Sequence, residues 1–214
     1  MTLAAKSALG FVSSALLAGT TTAVVRPSPE EPRTISKLIS STRPDRRLLF
    51  DGYQKKSDGS QEVWKFAWQK YRNDFASGSS NPFSLSITTV DNAPAEFRNA
   101  CKKLFSEQVL NTEDEKYTWG IEYCTRPTLV SDWIWGQGYE VVSDQGGEWN
   151  TLWNTLWNKY KTNNFWQITD STSNDQAPQA FKTKCKDEAN KAQGNKNDVS
   201  VTRVIDFCSK KRTN

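Results

Sequence analysis

Four cysteines are the residues best suited by type to chemistry, and their spacing is regular. Cys101 and Cys124 lie 23 positions apart, and so do Cys185 and Cys208. A thiol can act as nucleophile, metal ligand or half of a disulfide. The chain contains no histidine, so a cysteine nucleophile lacks its usual base, and His-based triads, His-ligated metals and imidazole pH sensing are excluded. A zinc site would also lack any Cys-x-x-Cys knuckle. Four cysteines allow three disulfide connectivities. The duplication described below favours one bridge in each half, Cys101–Cys124 and Cys185–Cys208. Free buried thiols are the competing state if the domain faces a reducing compartment.

The nine tryptophans form the second group of candidates. Aromatic faces suit sugars and quaternary ammonium groups. Trp64, Trp68 and Tyr71, and Trp153, Trp157 and Tyr160, are spaced as one face of a helix and read as core. Trp133 and Trp135 also read as core, but they stand beside Gly136 and Gly138, which mark a loop where a tryptophan is more often exposed. With Trp119 they are the candidate ligand-binding residues, in a groove between the halves that would take a sugar or a lipid headgroup. Other catalytic layouts fail. The stretch GQGYEV at Gly136 lacks the third glycine and the lysine of a phosphate loop. No serine has a lysine three residues on, and Glu113, Asp114 and Glu115 read as a solvated helix start. The sequence therefore predicts no enzyme, no metal and no cofactor.

Composition narrows the partners. The 214 residues carry 28 Lys+Arg against 24 Asp+Glu, and the two signs interleave along the chain, so nucleic acid is not expected. With 36% hydrophobic and 12% aromatic residues the chain must fold.

An uncharged stretch, residues 7–25, precedes the candidates. As a helix it would be about 28 Å long, close to the hydrocarbon core of a bilayer. It reads as a signal anchor contacting the membrane. A cleaved signal peptide, with Lys6 as its charge and Thr21-Thr22-Ala23 as its cleavage site, competes, as does an Ala-rich helix of a soluble protein. The first cysteine is Cys101, so a lipobox is excluded. Residues 26–33 follow as a Pro-rich spacer. The charges beyond the segment would hold the domain inside by the positive-inside rule, but long domains translocate regardless. The domain is expected outside the cell membrane, or secreted if the segment is cleaved.

Internal similarity organises the rest. APAEFRNACK (Ala93 to Lys102) and APQAFKTKCK (Ala177 to Lys186) coincide at Ala, Pro, Phe, Cys and Lys, offset by 84. At that offset Thr118, Ile121, Tyr123 and Cys124 meet Thr202, Ile205, Phe207 and Cys208. The Trp-Trp-Tyr stripes match at an offset of 89, with the extra residues falling in the loop NDFASGSSNPF. The chain thus reads as two units, residues 34–127 and 128–214, each of about 90 residues by this arithmetic. Each comprises a helix, an extended link, a helix opened by Pro94 or Pro178, and a Cys-bearing third element. Links such as Pro82 to Val90 carry β-branched residues suited to short strands. The third element fits either period, with helix favoured in both units. The fold class is mainly α, with α+β as the alternative.

A short apolar N-terminal segment, a Trp-x-x-x-Trp-x-x-Tyr helix, an Asn-containing link with an aromatic, a Pro-x-x-Phe-x-x-x-Cys helix and an aromatic-Cys closing element occur together. This combination resembles the paralogous protein families of haemotropic mycoplasmas, wall-less bacteria attached to red blood cells. The residues that carry it are Trp64, Trp68, Tyr71, Phe97, Cys101 and Cys124, repeated as Trp153, Trp157, Tyr160, Phe181, Cys185 and Cys208. The resemblance implies a membrane-anchored protein exposed to the host and varied between copies, with a host surface or serum component as partner. It supplies no catalytic residues. The expected function is non-enzymatic host contact or antigenic display, with a ligand-binding module using an aromatic groove as the alternative.

Overall fold

The computed structural model describes residues 31–53, 58–76, 80–143, 147–169 and 176–213. The expected anchor, residues 7–25, and the spacer up to residue 30 lie outside them. In chain order the first half runs β1 (Arg33–Thr34), α1 (Ile35–Thr42), β2 (Arg46–Leu48), α2 (Glu62–Asp74), α3 (Ala95–Ser106), β3 (Gln108–Val109), α4 (Glu115–Cys124) and β4 (Thr125–Pro127). The second half runs α5 (Val130–Gly136), β5 (Tyr139–Val141), α6 (Gly147–Tyr160), α7 (Gln179–Ala189), α8 (Val199–Cys208) and β6 (Ser209–Lys211). Helices dominate, and the strands form antiparallel two-stranded ribbons, β1 with β3, β2 with β4 and β5 with β6. Leu129 and Ala192 add an isolated bridge. Among the described residues, no helix is long and apolar enough to cross a membrane.

The aromatic stripes become the buried faces of α2 and α6. Trp64, Trp68 and Tyr71 are fully buried in one apolar cluster with α1, α3 and α4. Trp153, Trp157 and Tyr160 fill a second cluster with α5, α7 and α8. Phe97 and Phe181 pack centrally, their rings 5.2 Å from Trp68 and 5.3 Å from Trp157. Large aromatic volume lets short helices exclude water, each fully buried large side chain contributing about 1.5–3 kcal/mol. Indole N–H groups still need acceptors. Trp68 Nε1 donates to the Val90 carbonyl at 2.9 Å, and Trp153 Nε1 donates to that of Ser143 at 3.0 Å.

The third elements are helical, α4 and α8. Asp114 and Asp198 cap them by accepting from Lys116 N–H and Ser200 N–H, each at 2.8 Å. Gly120 allows α4 to lie against α1, since a Cβ there would come within 3.1 Å of Ile35 and Ile39. Strand-like alternation in Tyr117, Trp119, Ile121 and Tyr123 is thus overridden by capping and helix packing.

The link Pro82 to Val90 is not a strand. Asn81 organises it: its Oδ1 accepts from Leu85 N–H at 2.8 Å and its Nδ2 donates to the Leu85 carbonyl at 2.9 Å. The Tyr71 hydroxyl bonds to Asn81 Oδ1 and accepts from Phe83 N–H at 3.1 Å. Asn164 does the same for the later link. It accepts from the Tyr160 hydroxyl at 3.1 Å and from Ile168 N–H at 2.9 Å, and it donates to the Ile168 carbonyl at 3.2 Å. Trp166 N–H donates to Tyr160 Oη at 2.7 Å. These side-chain bonds offer the backbone an alternative to a ladder, which β-propensity does not anticipate.

Both predicted disulfides are present. Cys101–Cys124 ties α3 to α4 with Cα atoms 5.4 Å apart, and Cys185–Cys208 ties α7 to α8 at 5.3 Å. Each closes a loop of about 24 residues, worth roughly 3 kcal/mol by the chain-entropy estimate. The double substitution Cys101→Ser/Cys124→Ser should therefore lower the unfolding free energy in urea by about 3 kcal/mol. Non-reducing peptide mapping of the unaltered protein should yield only the two intra-half linked peptides.

Candidate functional site

The three candidate tryptophans divide between two places. Trp119, on α4, is half-buried and lines a cleft of about 270 Å³ with Pro82, Phe83, Lys103 and Lys116, all from the first half. Trp133 and Trp135, on α5, lie where the halves meet. Trp133 donates its Nε1–H to the Gln193 carbonyl at 2.6 Å, and the Arg47 guanidinium sits 5.2 Å above its ring. Trp135 has the Arg212 guanidinium 3.7 Å from its ring centre and the Tyr53 ring at 5.6 Å. Arginines thus cover both α5 tryptophans, an arrangement favoured by the ring quadrupole. A ligand stacking on these faces would have to displace them.

The junction is organised by charges that the sequence analysis did not single out. The β2–β4 register sets Arg47 directly opposite Arg126, and facing like charges are unfavourable. Both reach into the second half, Arg47 to Trp133 and Arg126 to Asp132. Arg126 makes a forked pair with Asp132 at 2.6 and 2.8 Å, with side chains 5% and 0% exposed. Asp132 also accepts from Leu129 N–H at 2.9 Å and from Tyr53 N–H at 2.8 Å. Gly52, at φ +87°, makes room for this carboxylate, since a Cβ there would lie 2.2 Å from Oδ1. Burial opposes ionisation of Asp132, but Arg126 and the two backbone donors outweigh it and hold the carboxyl below the usual range. Arg126 and Asp132 are six residues apart in a stretch without strong periodicity, so no spacing rule points to them.

A second feature missed in the sequence is an apolar cleft of about 360 Å³ between α2 and the β2–β4 ribbon. Val63, Phe66, Ala67 and Pro127 supply its apolar wall, with Arg46 and Lys70 among its polar neighbours. Phe66 is 72% exposed, on the side of α2 away from the Trp64–Trp68–Tyr71 stripe. Lys70 bridges Asp74 at 2.9 Å and Glu122 at 3.0 Å. Partial burial opposes its charge, but the two carboxylates prevail and raise its pKa. Only the exposure of a lone large apolar residue marks this place, and exposure is not written in a sequence.

Among the described residues, no group of three or more His, Cys, Asp or Glu could hold a metal ion. No family model, curated protein or solved structure matches this chain.

The Arg126–Asp132 pair gives a direct test. Asp132→Ala strands a buried guanidinium and should cost about 3–5 kcal/mol in urea unfolding. The native carboxyl pKa is depressed, so its contribution is complete above the unfolded value near 3.9 and is lost as pH falls through the native one. Between about pH 5 and pH 2 the unaltered protein should therefore lose more stability than Asp132→Asn does over the same interval.

Proposed function

We propose that this chain is a non-enzymatic, membrane-anchored surface protein that presents two tandem copies of one disulfide-stapled helical module for host contact or antigenic display. The observation that carries the reading is the pair of disulfides, each joining the last two helices of its half at the same sequence separation of 23. Disulfides persist in oxidising environments and are rare in reducing ones, which favours a domain outside the cytoplasm. The proposed anchor rests on the uncharged stretch of residues 7–25.

The duplication draws support from matching details in the two halves. The disulfides, the Tyr–Asn loop anchors and the Asp caps recur in order. The backbone bond from Ile35 N–H to the Glu107 carbonyl at 2.9 Å corresponds to that from Val130 N–H to Lys191 at 3.0 Å. Likewise Leu49 N–H to Cys124 at 3.1 Å corresponds to Val142 N–H to Cys208 at 3.0 Å. Modules held by internal aromatic cores and disulfides tolerate change on their exposed faces, a property suited to a displayed surface.

Trypsin treatment of intact cells, with peptides released to the medium identified by mass spectrometry, tests the display. Peptides from residues 31–214 should be released without lysis. Full protection of those residues, together with their cleavage after permeabilisation, would overturn the surface reading.

A further inference from the structure

We propose that the cleft between α2 and the β2–β4 ribbon is a binding site for a single-chain aliphatic carboxylate, with the alkyl chain against Phe66 and the carboxylate on Arg46. This goes beyond surface display and does not depend on it. The cleft has about 360 Å³, the lower end of small-ligand pockets. That size suits one alkyl chain better than two. Its wall of Val63, Phe66, Ala67 and Pro127 is apolar, and Phe66, at 72% exposure, is the most exposed large apolar residue described. Covering it would remove apolar area from water at about 25 cal/mol per Å².

The state of the polar neighbours decides what kind of ligand fits. Lys70 is held by Asp74 and Glu122, and Glu62 by Lys65 at 3.1 Å. Arg126 is held by Asp132, and the Thr125 hydroxyl donates to the Ile121 carbonyl at 2.6 Å. Arg46 differs from all of these: its guanidinium makes no hydrogen bond or ion pair among the described residues. A peptide laid here would find few free side-chain partners for its amide groups, and burying them unpaired is costly. An alkyl chain has no such groups. One carboxylate at its end matches the fork of the one uncommitted guanidinium.

The equivalent place in the second half is built differently. By the offset of the aromatic stripes Thr155 stands where Phe66 does, and its hydroxyl donates to its own helix at Thr151. Lys210, on β6, lies 3.9 Å from the Trp149 ring and pairs with Glu140 at 3.2 Å. The scaffold therefore does not itself demand an exposed aromatic at this point of the helix.

The test uses the full chain in solution with a diazirine-bearing decanoate as photoprobe. Labelling should saturate and map to peptides containing residues 62–72 or 122–127. Excess decanoate should compete, and decanol should compete about tenfold less well, the difference expected of a charge-assisted bond. Arg46→Gln should weaken decanoate competition about tenfold, and Phe66→Asp should abolish mapped labelling. Unchanged disulfide maps and circular dichroism establish that both variants are folded. Labelling that maps elsewhere, survives both substitutions or is competed equally by decanol would overturn the proposal. So would a Phe66-dependent dimer in sedimentation, which would assign the cleft to a second copy of the chain.

Discussion

Two arginines facing each other across a short ribbon set the constraint on which the arrangement of the two halves depends. The β2–β4 ladder places Arg47 opposite Arg126, and neither finds an acid within the ribbon. Both are resolved by the second half. Asp132 takes the Arg126 fork and the Trp133 ring faces Arg47. The Asp132 carboxylate also gathers N–H groups from Tyr53 and Leu129, so one buried group fixes the loop after β2, the end of β4 and the start of α5. Such a pair adds little net stability over an apolar replacement, but losing one partner costs about 3–5 kcal/mol. That is a large share of the 5–15 kcal/mol typical of a whole domain. The junction is therefore a register device, because other approaches of the halves would leave a buried charge unpaired.

The last ribbon has no such requirement. In β5–β6 the corresponding opposed pair is Glu140 and Lys210, bonded to each other at 3.2 Å. Lys210 also covers Trp149, and Arg212 covers Trp135. Opposed charges that pair with each other leave no cation to be met from elsewhere in the fold. The Arg/Arg opposition in β2–β4 is thus met from α5, whereas the Glu/Lys opposition in β5–β6 is met within the ribbon. One strand position on each side makes the difference.

What could be read from the sequence follows from which interactions are local. Trp64, Trp68 and Tyr71 lie on one helical face, so their periodicity alone announces α2 and its buried side. The equal Cys spacing likewise announces both bridges, because a disulfide needs only the two helices it ties. The link after α2 is not legible in the sequence because Asn81's three side-chain bonds, one with Tyr71 and two with Leu85, depend on relative placement that no local pattern encodes. The β-branched Ile87, Thr88, Thr89 and Val90 are the local signal for a strand, and the Asn81 bonding overrides it. Arg126 and Asp132 were invisible for a related reason: their partnership needs Gly52 and Tyr53, more than seventy positions away. The neighbouring glycines mark Trp133 and Trp135 only as candidates, while the arginines over them come from β2 and the residue after β6.

Core and cleft are separable on the same helix. Trp64, Trp68 and Tyr71 fill one interior and Trp153, Trp157 and Tyr160 the other, and the two tyrosines bond the loop residues Asn81 and Asn164. The outward position does not follow this rule, with Phe66 on α2 and Thr155 on α6. Phe66 contributes little to the first core, since it is 72% exposed, and an exposed phenylalanine gains nothing in water over threonine. Threonine at this point satisfies its own hydroxyl on the preceding turn and leaves the helix intact. The aromatic core and the Tyr71–Asn81 anchor therefore fix α2 without using Phe66. Any ligand preference written on that face can change with no more than a small effect on the fold beneath it.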